Sequence, residues 1–218
     1  MATAKKKEIT RDAVISLYMN YVLEHDREPQ SVFKFCKDQK ISEEKFYHFF
    51  GSFQGLQKEI WNTFFDNALN LVQKQKGYET FENKNKMLSF FYTFFELLTA
   101  NRSYVLFALD DNMNMTKNRS QLSGLRKRVK EFSSELIEDN NDEKQLKILK
   151  HPVSVFSEGA WLQTLFILKY WMEDNSAGFE KTDLVIEKSV RAIFDVFETT
   201  PLESILDFGK FLWKDKMN

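Results

Sequence analysis

The sequence predicts an all-α protein with a small N-terminal helix-turn-helix domain, residues 1–56, and a larger helical domain, residues 57–218. Three observations carry that expectation. Apolar residues recur three and four positions apart along most of the chain, and no stretch keeps up the alternation of a strand. The 22 Phe residues stand against 7 Gly and 3 Pro, a balance that favours long, ring-packed helices over turns. Residues 31–56, SVFKFCKDQKISEEKFYHFFGSFQGL, read as two short helices joined by a tight turn, then an aromatic pair and the start of a longer helix.

The elements follow in order. Val14, Leu17, Tyr18, Tyr21 and Val22 form the stripe of a first amphipathic helix. Val32, Phe35 and Cys36 make one apolar face of the next, and Ile41 sits in the connection. Ser42 can accept from the free amides of a third helix, although Lys45 at the third position after it leaves a capping box incomplete. Phe46, Phe49 and Phe50 return an apolar face to the second helix. Two helices this short cannot bury those faces alone, so the first helix must cover them. Leu56 to Val72 gives a fourth helix with Ile60, Phe64, Ala68 and Leu71 on one face, ended near Lys76-Gly77. A strongly aromatic helix spans 84–99, and Asn101 or Ser103 caps the next, YVLFALDDNM. Residues 118–138 read as an amphipathic helix with a basic start, followed by a polar turn from Glu138 to Glu143. A short helix over 143–149 precedes Pro152, and a long one runs from Val153 to Met172 until Asp174 to Gly178 breaks it. Leu184 to Phe197 follows, and Pro201 opens a last helix through Trp213.

Residues 31–56 resemble the DNA-binding domain of the TetR family of bacterial repressors. That family reads T-S-V-x-x-I-A-x-x-x-G-V-S-x-G-x-L-Y-x-H-F-x-S-K-x-x-L. Here Ser31 and Val32 stand at the start, Phe35-Cys36 at I-A, Ile41-Ser42 at V-S and Phe46-Tyr47 at L-Y. Phe50, Ser52 and Leu56 match the final F, S and L. The match covers about the first quarter of the chain, and the remainder agrees in length and helix content. The resemblance implies a homodimer whose second short helix enters a DNA major groove. It assigns DNA contacts to the arm and first turn, Lys5, Lys6, Lys7 and Arg11, and to Ser31, Lys34, Ser42, Glu43, Lys45, Tyr47 and His48. A solvated tail is the bland reading of the three lysines, and a packed or surface side chain that of His48.

The chain departs from the family at three places. Lys40 stands at the turn glycine, Glu44 at a glycine of the recognition helix with Glu43 beside it, and Phe53 at the lysine that opens the fourth helix. Paired carboxylates suit a helix N-terminus but repel phosphate, though an acidic residue can accept from cytosine N4. Residues 1–56 hold nine Lys and Arg against eight Asp and Glu, a thin electrostatic footprint for DNA.

Two of the later helices suggest the dimer. Val155, Phe156, Ala160, Leu162, Leu165, Phe166, Ile167, Tyr170 and Trp171 wrap most of the helix at 153–172, and Gly159-Ala160 permits close approach. Leu184, Ile186, Val190, Ile193, Phe194 and Phe197 stripe the next, with Glu187, Lys188, Arg191 and Asp195 outward. TetR-like proteins pair their last long helices in a four-helix seam; a monomeric bundle core is the alternative. The resemblance also implies an effector pocket. Phe90, Phe91, Phe94, Phe95, Tyr104, Phe107, Trp161, Phe166 and Tyr170 are its candidate lining, with Arg102, Asn112, Asn114 and Gln163 as polar groups in reach. An apolar lining suits a fatty acyl chain, isoprenoid or aromatic. A Phe stripe at helical spacing is otherwise simply core.

Composition excludes other classes. The formal charge is -1, with 43% hydrophobic and 29% charged residues, as in a soluble globular protein. The lone Cys36 allows no intrachain disulfide and fits a reducing cytoplasm. No apolar run follows the basic start as in a signal peptide, and none approaches a membrane span. His25, His48 and His151 lack partners at metal-ligand spacing, and no Gly-rich phosphate loop or nucleophile elbow occurs. Asp110-Asp111 reads as a solvated helix end. No enzyme, metal or cofactor is expected. The sequence reads as a ligand-responsive, homodimeric DNA-binding regulator of TetR type. The competing reading is a lipid- or isoprenoid-binding protein that kept the fold and lost DNA, as in the lipid-binding ubiquinone-biosynthesis protein of TetR-like fold. Glu43, Glu44 and Phe53 favour the second, the Tyr47 region and the basic arm the first.

Overall fold

A computed structural model describes residues 9–109, 118, 120–142 and 153–199. Among these every regular element is helical: α1 (Arg11–His25), α2 (Val32–Asp38), α3 (Glu43–Phe49), α4 (Phe53–Gln73), α5 (Asn83–Ala100), α6 (Arg102–Ala108), α7 (Ser123–Asp142), α8 (Val153–Glu173) and α9 (Glu180–Thr199), with short 3-10 turns at Tyr78–Thr80 and Ala177–Phe179. The chain divides into two compact units. The first comprises Met1–Asn67 with Glu96–Leu125, the second Ala68–Phe95 with Arg126–Asn218.

In the first unit, serine and threonine caps start all three opening helices. The hydroxyls of Thr10, Ser31 and Ser42 accept from the amides of Ala13, Lys34 and Lys45, each at 3.2 Å. The connection between α2 and α3 is a Schellman turn. The Ile41 amide donates to the Cys36 carbonyl at 3.0 Å and the Lys40 amide to Lys37 at 3.3 Å. That motif needs a left-handed residue before Ile41, and Lys40 takes it at φ 56°. Phe35 anchors the core. Its ring meets Tyr18, Tyr21, Phe46 and Phe53 at centroid distances of 6.1, 5.7, 6.1 and 5.7 Å, all edge-on. Phe53 also lies 5.4 Å from Phe46. Its departure from the family's lysine is thereby explained, because the ring closes an aromatic core. Val14, Ile15, Tyr18, Tyr21 and Val22 are buried on α1, with Leu17 only half-buried, and α1 packs against α6.

Several expected faces shift by one position. On α4 the buried row is Ile60, Phe64, Ala68 and Val72, whereas Leu71 is half-exposed. Steps of four carry the stripe to Val72, and a step of three at its end turns Leu71 out. Asn101 occupies the N-cap position of α6 without a capping hydrogen bond; its amide donates instead to the Leu97 carbonyl at 2.8 Å. Helix α7 continues through the expected turn at Glu138 to Asp142. The helices expected over 143–149 and from Pro201 to Trp213 lie outside the described residues, as does the start expected at 118–122 in part.

The second unit is built on rings. Phe90 stacks on Phe94 at 5.6 Å with planes 14° apart and reaches Phe132 on α7 at 5.0 Å. Phe95 meets Trp171 on α8 at 6.1 Å. Glu158 on α8 accepts from Arg126 at 2.9 Å and Lys130 at 2.5 Å on α7, which holds its carboxyl below the usual carboxylate range. Helices α8 and α9 pack as a hairpin. The seam contains Phe156 against Phe194 at 5.5 Å and Gln163 donating to Ser189 at 2.9 Å. Phe194 is therefore core within one chain. Leu184 leaves the α9 stripe, whose buried row runs Thr182, Ile186, Val190 and Phe194 in steps of four. Gly178 and Phe179, at φ 63° and 61°, make the break between the two helices.

Candidate nucleic-acid interface and effector site

Helix α3 buries Phe46 and turns Glu43, Glu44, Lys45, Tyr47 and His48 outward. Tyr47 stays exposed although its ring stands edge-on to Phe46 at 5.5 Å. His48 lies against Phe49 at 4.9 Å with its residue exposed. On α2, Lys34 is exposed and its ammonium donates to the Gln30 side chain; Phe33 beside it is more than half exposed. Ser31 and Ser42 are exposed, but their hydroxyls are already engaged as caps, so any ligand must share them. Cys36 lies behind this surface. Burial, with the Glu43 carboxylate adding to it, pushes its thiol up to about 11, so it stays protonated and unreactive at neutral pH.

Arg11 sits differently from its neighbours. It pairs with Glu59 on α4, and its guanidinium lies 5.8 Å above the Phe50 ring. Lys5, Lys6 and Lys7 lie outside the described residues.

The candidate effector residues are divided between the two units. Phe90, Phe91, Phe94 and Phe95 are buried against one another in the second unit, where Trp161 is also buried and Tyr170 half-buried. Tyr104, buried, and Phe107, half-buried, belong to the first unit. Phe166 is exposed on the outer side of α8, because Thr164, Ile167 and Leu168 take the inward positions. Of the polar groups, Arg102 is half-buried and Gln163 is buried; Asn112 and Asn114 lie outside the described residues.

Periodicity gave no sign of some polar groups that the fold buries. The Trp61 indole nitrogen and the Asn62 amide oxygen on α4 are buried without a hydrogen-bond partner among the described residues, as is the Gln163 amide oxygen on α8. In the first unit the Gln57 amide donates to the Tyr18 hydroxyl at 2.7 Å. Burial outweighs that bond and raises the Tyr18 pKa; burial likewise raises that of Tyr104, with Tyr18 and Glu28 adding to it. Both phenols stay neutral. No cluster of three metal-ligating side chains occurs among the described residues, and no described helix is long and apolar enough to cross a membrane.

Residues 86–212 match the family model described as the tetracyclin repressor-like, C-terminal domain. No curated protein matches the chain. The family match is independent of the N-terminal motif, since it begins 30 residues after Leu56, and it spans more than half of the 218 residues. The chain belongs to the tetracyclin repressor-like family of regulators.

Proposed function

We propose that this regulator binds a palindromic DNA site as a homodimer and releases it when an apolar effector occupies the C-terminal domain. The observation that carries the reading is the surface of α3. A buried Phe46 fixes the helix by one face, and Lys45, Tyr47 and His48 stand exposed at the positions where the resemblance puts DNA contacts. Dimerisation is supported by apolar side chains left uncovered on the terminal hairpin. Leu162 and Phe166 on α8 are 63% and 56% exposed, and Leu184 and Val196 on α9 are 48% and 42% exposed. Gly159, one turn before Leu162, has open space above it, which allows another helix to approach closely. The effector must bind the two dimer conformations with different affinity, because equal affinity shifts no equilibrium.

Selection from a random duplex library at about physiological salt tests the DNA assignment. It should return a palindrome with half-sites about one helical turn apart, and Lys45→Ala or Tyr47→Ala should weaken binding to it. A second reading has its own observation. Glu43 and Glu44 are exposed on α3, where they oppose phosphate, and a protein of this fold that binds a lipid or isoprenoid without DNA would tolerate them. A library that returns no enriched site, beside an apolar ligand recovered by native mass spectrometry, would decide for that reading.

A further inference from the structure

We propose that Glu59 holds Arg11 in reserve: in the DNA-free chain its carboxylate takes the guanidinium that a DNA phosphate takes on binding. The inference rests on the DNA-binding reading above and adds a self-inhibitory contact to it. Arg11 is the first residue of α1, and its guanidinium reaches over Phe50, the residue that directly follows the recognition helix. A cation there lies against the DNA-reading module, yet it is already paired. Guanidinium matches carboxylate and phosphate by the same fork of donors, so the two anions compete for one group. The competition is reversible because the pair is partly solvated, with side chains 39% and 26% exposed, and such pairs are weak.

Glu59 is itself held. One carboxylate oxygen takes Arg11, and the other accepts from the Asn62 amide at 2.9 Å, one turn along α4. The opposite end of that amide lies against Gly124 at the start of α7, where a Cβ would overlap the Asn62 oxygen. Asn62 therefore fits only while residue 124 stays a glycine at that position. A shift of the start of α7 along α4 moves the amide that orients Glu59, and with it the hold on Arg11. All four residues belong to the first compact unit.

The full chain, as wild type, Glu59→Gln, Arg11→Ala and the double variant, would be titrated onto a fluorescein-labelled duplex of random sequence at stepped KCl concentrations. Freeing one cation for phosphate should tighten Glu59→Gln binding roughly five- to tenfold near 0.1 M salt and steepen the log–log salt slope by about 0.9. That gain should vanish when Arg11 is Ala. Asn62→Ala should shift binding the same way by a smaller factor, and it decides the matter if Glu59→Gln melts below the assay temperature. An equal gain with and without Arg11 would mean that only a negative charge was removed, and it overturns the proposal. So does wild-type binding that neither variant alters. If neither wild type nor any variant binds the duplex, the DNA-binding reading falls and this proposal with it.

Discussion

Asp174 shows how much one buried side chain can organise. Its carboxylate accepts from the Ser176 amide and hydroxyl at 2.8 and 2.7 Å, and from the Thr182 amide and hydroxyl at 2.9 and 2.7 Å. It thus closes the α8–α9 break and satisfies an orphan donor in the first turn of α9. Burial alone would raise its pKa; the four donors outweigh burial and bring it from 3.8 to about 2. A depressed folded-state pKa means that the contribution is complete above about pH 4 and is lost as pH falls toward 2. Urea melts at stepped pH should show wild type losing stability across that window. Asp174→Asn should start ~1–3 kcal/mol less stable at neutral pH and lose less on acidification, because its amide turns a donor toward donors. Lys40 offers the opposite experiment. Its left-handed φ of 56° is strained for a residue with a Cβ, so Lys40→Gly should stabilise the protein by up to ~1 kcal/mol in a chemical melt. The sequence flagged this position through the missing turn glycine; only the backbone revealed that the strain is accepted within an intact Schellman turn.

Elements obey local periodicity until a helix is apolar on several sides. Helix α3 needed no tertiary information, since Phe46, its one buried residue, and Phe50 directly after it leave one way to pack. Helix α8 is different. Its residues offer two apolar rows, and the α9 hairpin selects Phe156, Ala160 and Ile167 for the interior, leaving Leu162 and Phe166 outside. Two substitutions separate core from seam. Phe166→Glu should leave the melting temperature of the chain nearly unchanged under conditions where it is monomeric, yet dissociate the proposed dimer in sedimentation, because in that dimer a carboxylate would be buried at the seam without a partner. Phe194→Glu should unfold the hairpin itself, with loss of ~3–5 kcal/mol, since it places that charge beside Phe156 inside one chain. Dissociation by Phe194→Glu without loss of stability would reverse this assignment.

At the scale of the whole molecule, helices α4 and α5 each contribute residues to both compact units. Linkage tests the proposed effector response without knowing its route. If a fatty acid or isoprenoid weakens DNA binding by some factor, DNA must weaken binding of the same ligand by the same factor. Fluorescence titrations in both directions should agree, and unequal factors would show that the two sites do not share one equilibrium.

The sequence by itself determined the helical class, the order of the described helices, the serine cap at Ser42, and the core identity of Phe35 and Phe46. These rest on contacts three and four residues apart, which periodicity encodes directly. Only the tertiary structure decided that the half-buried Phe53 packs on Phe35 and Phe46, that Phe166 faces out while Phe194 faces in, and that Arg11 is engaged by Glu59, 48 positions further along the chain. Such pairings depend on the register in which whole helices meet. A side chain's partner across that register is fixed by packing against the rest of the unit, which no local spacing records.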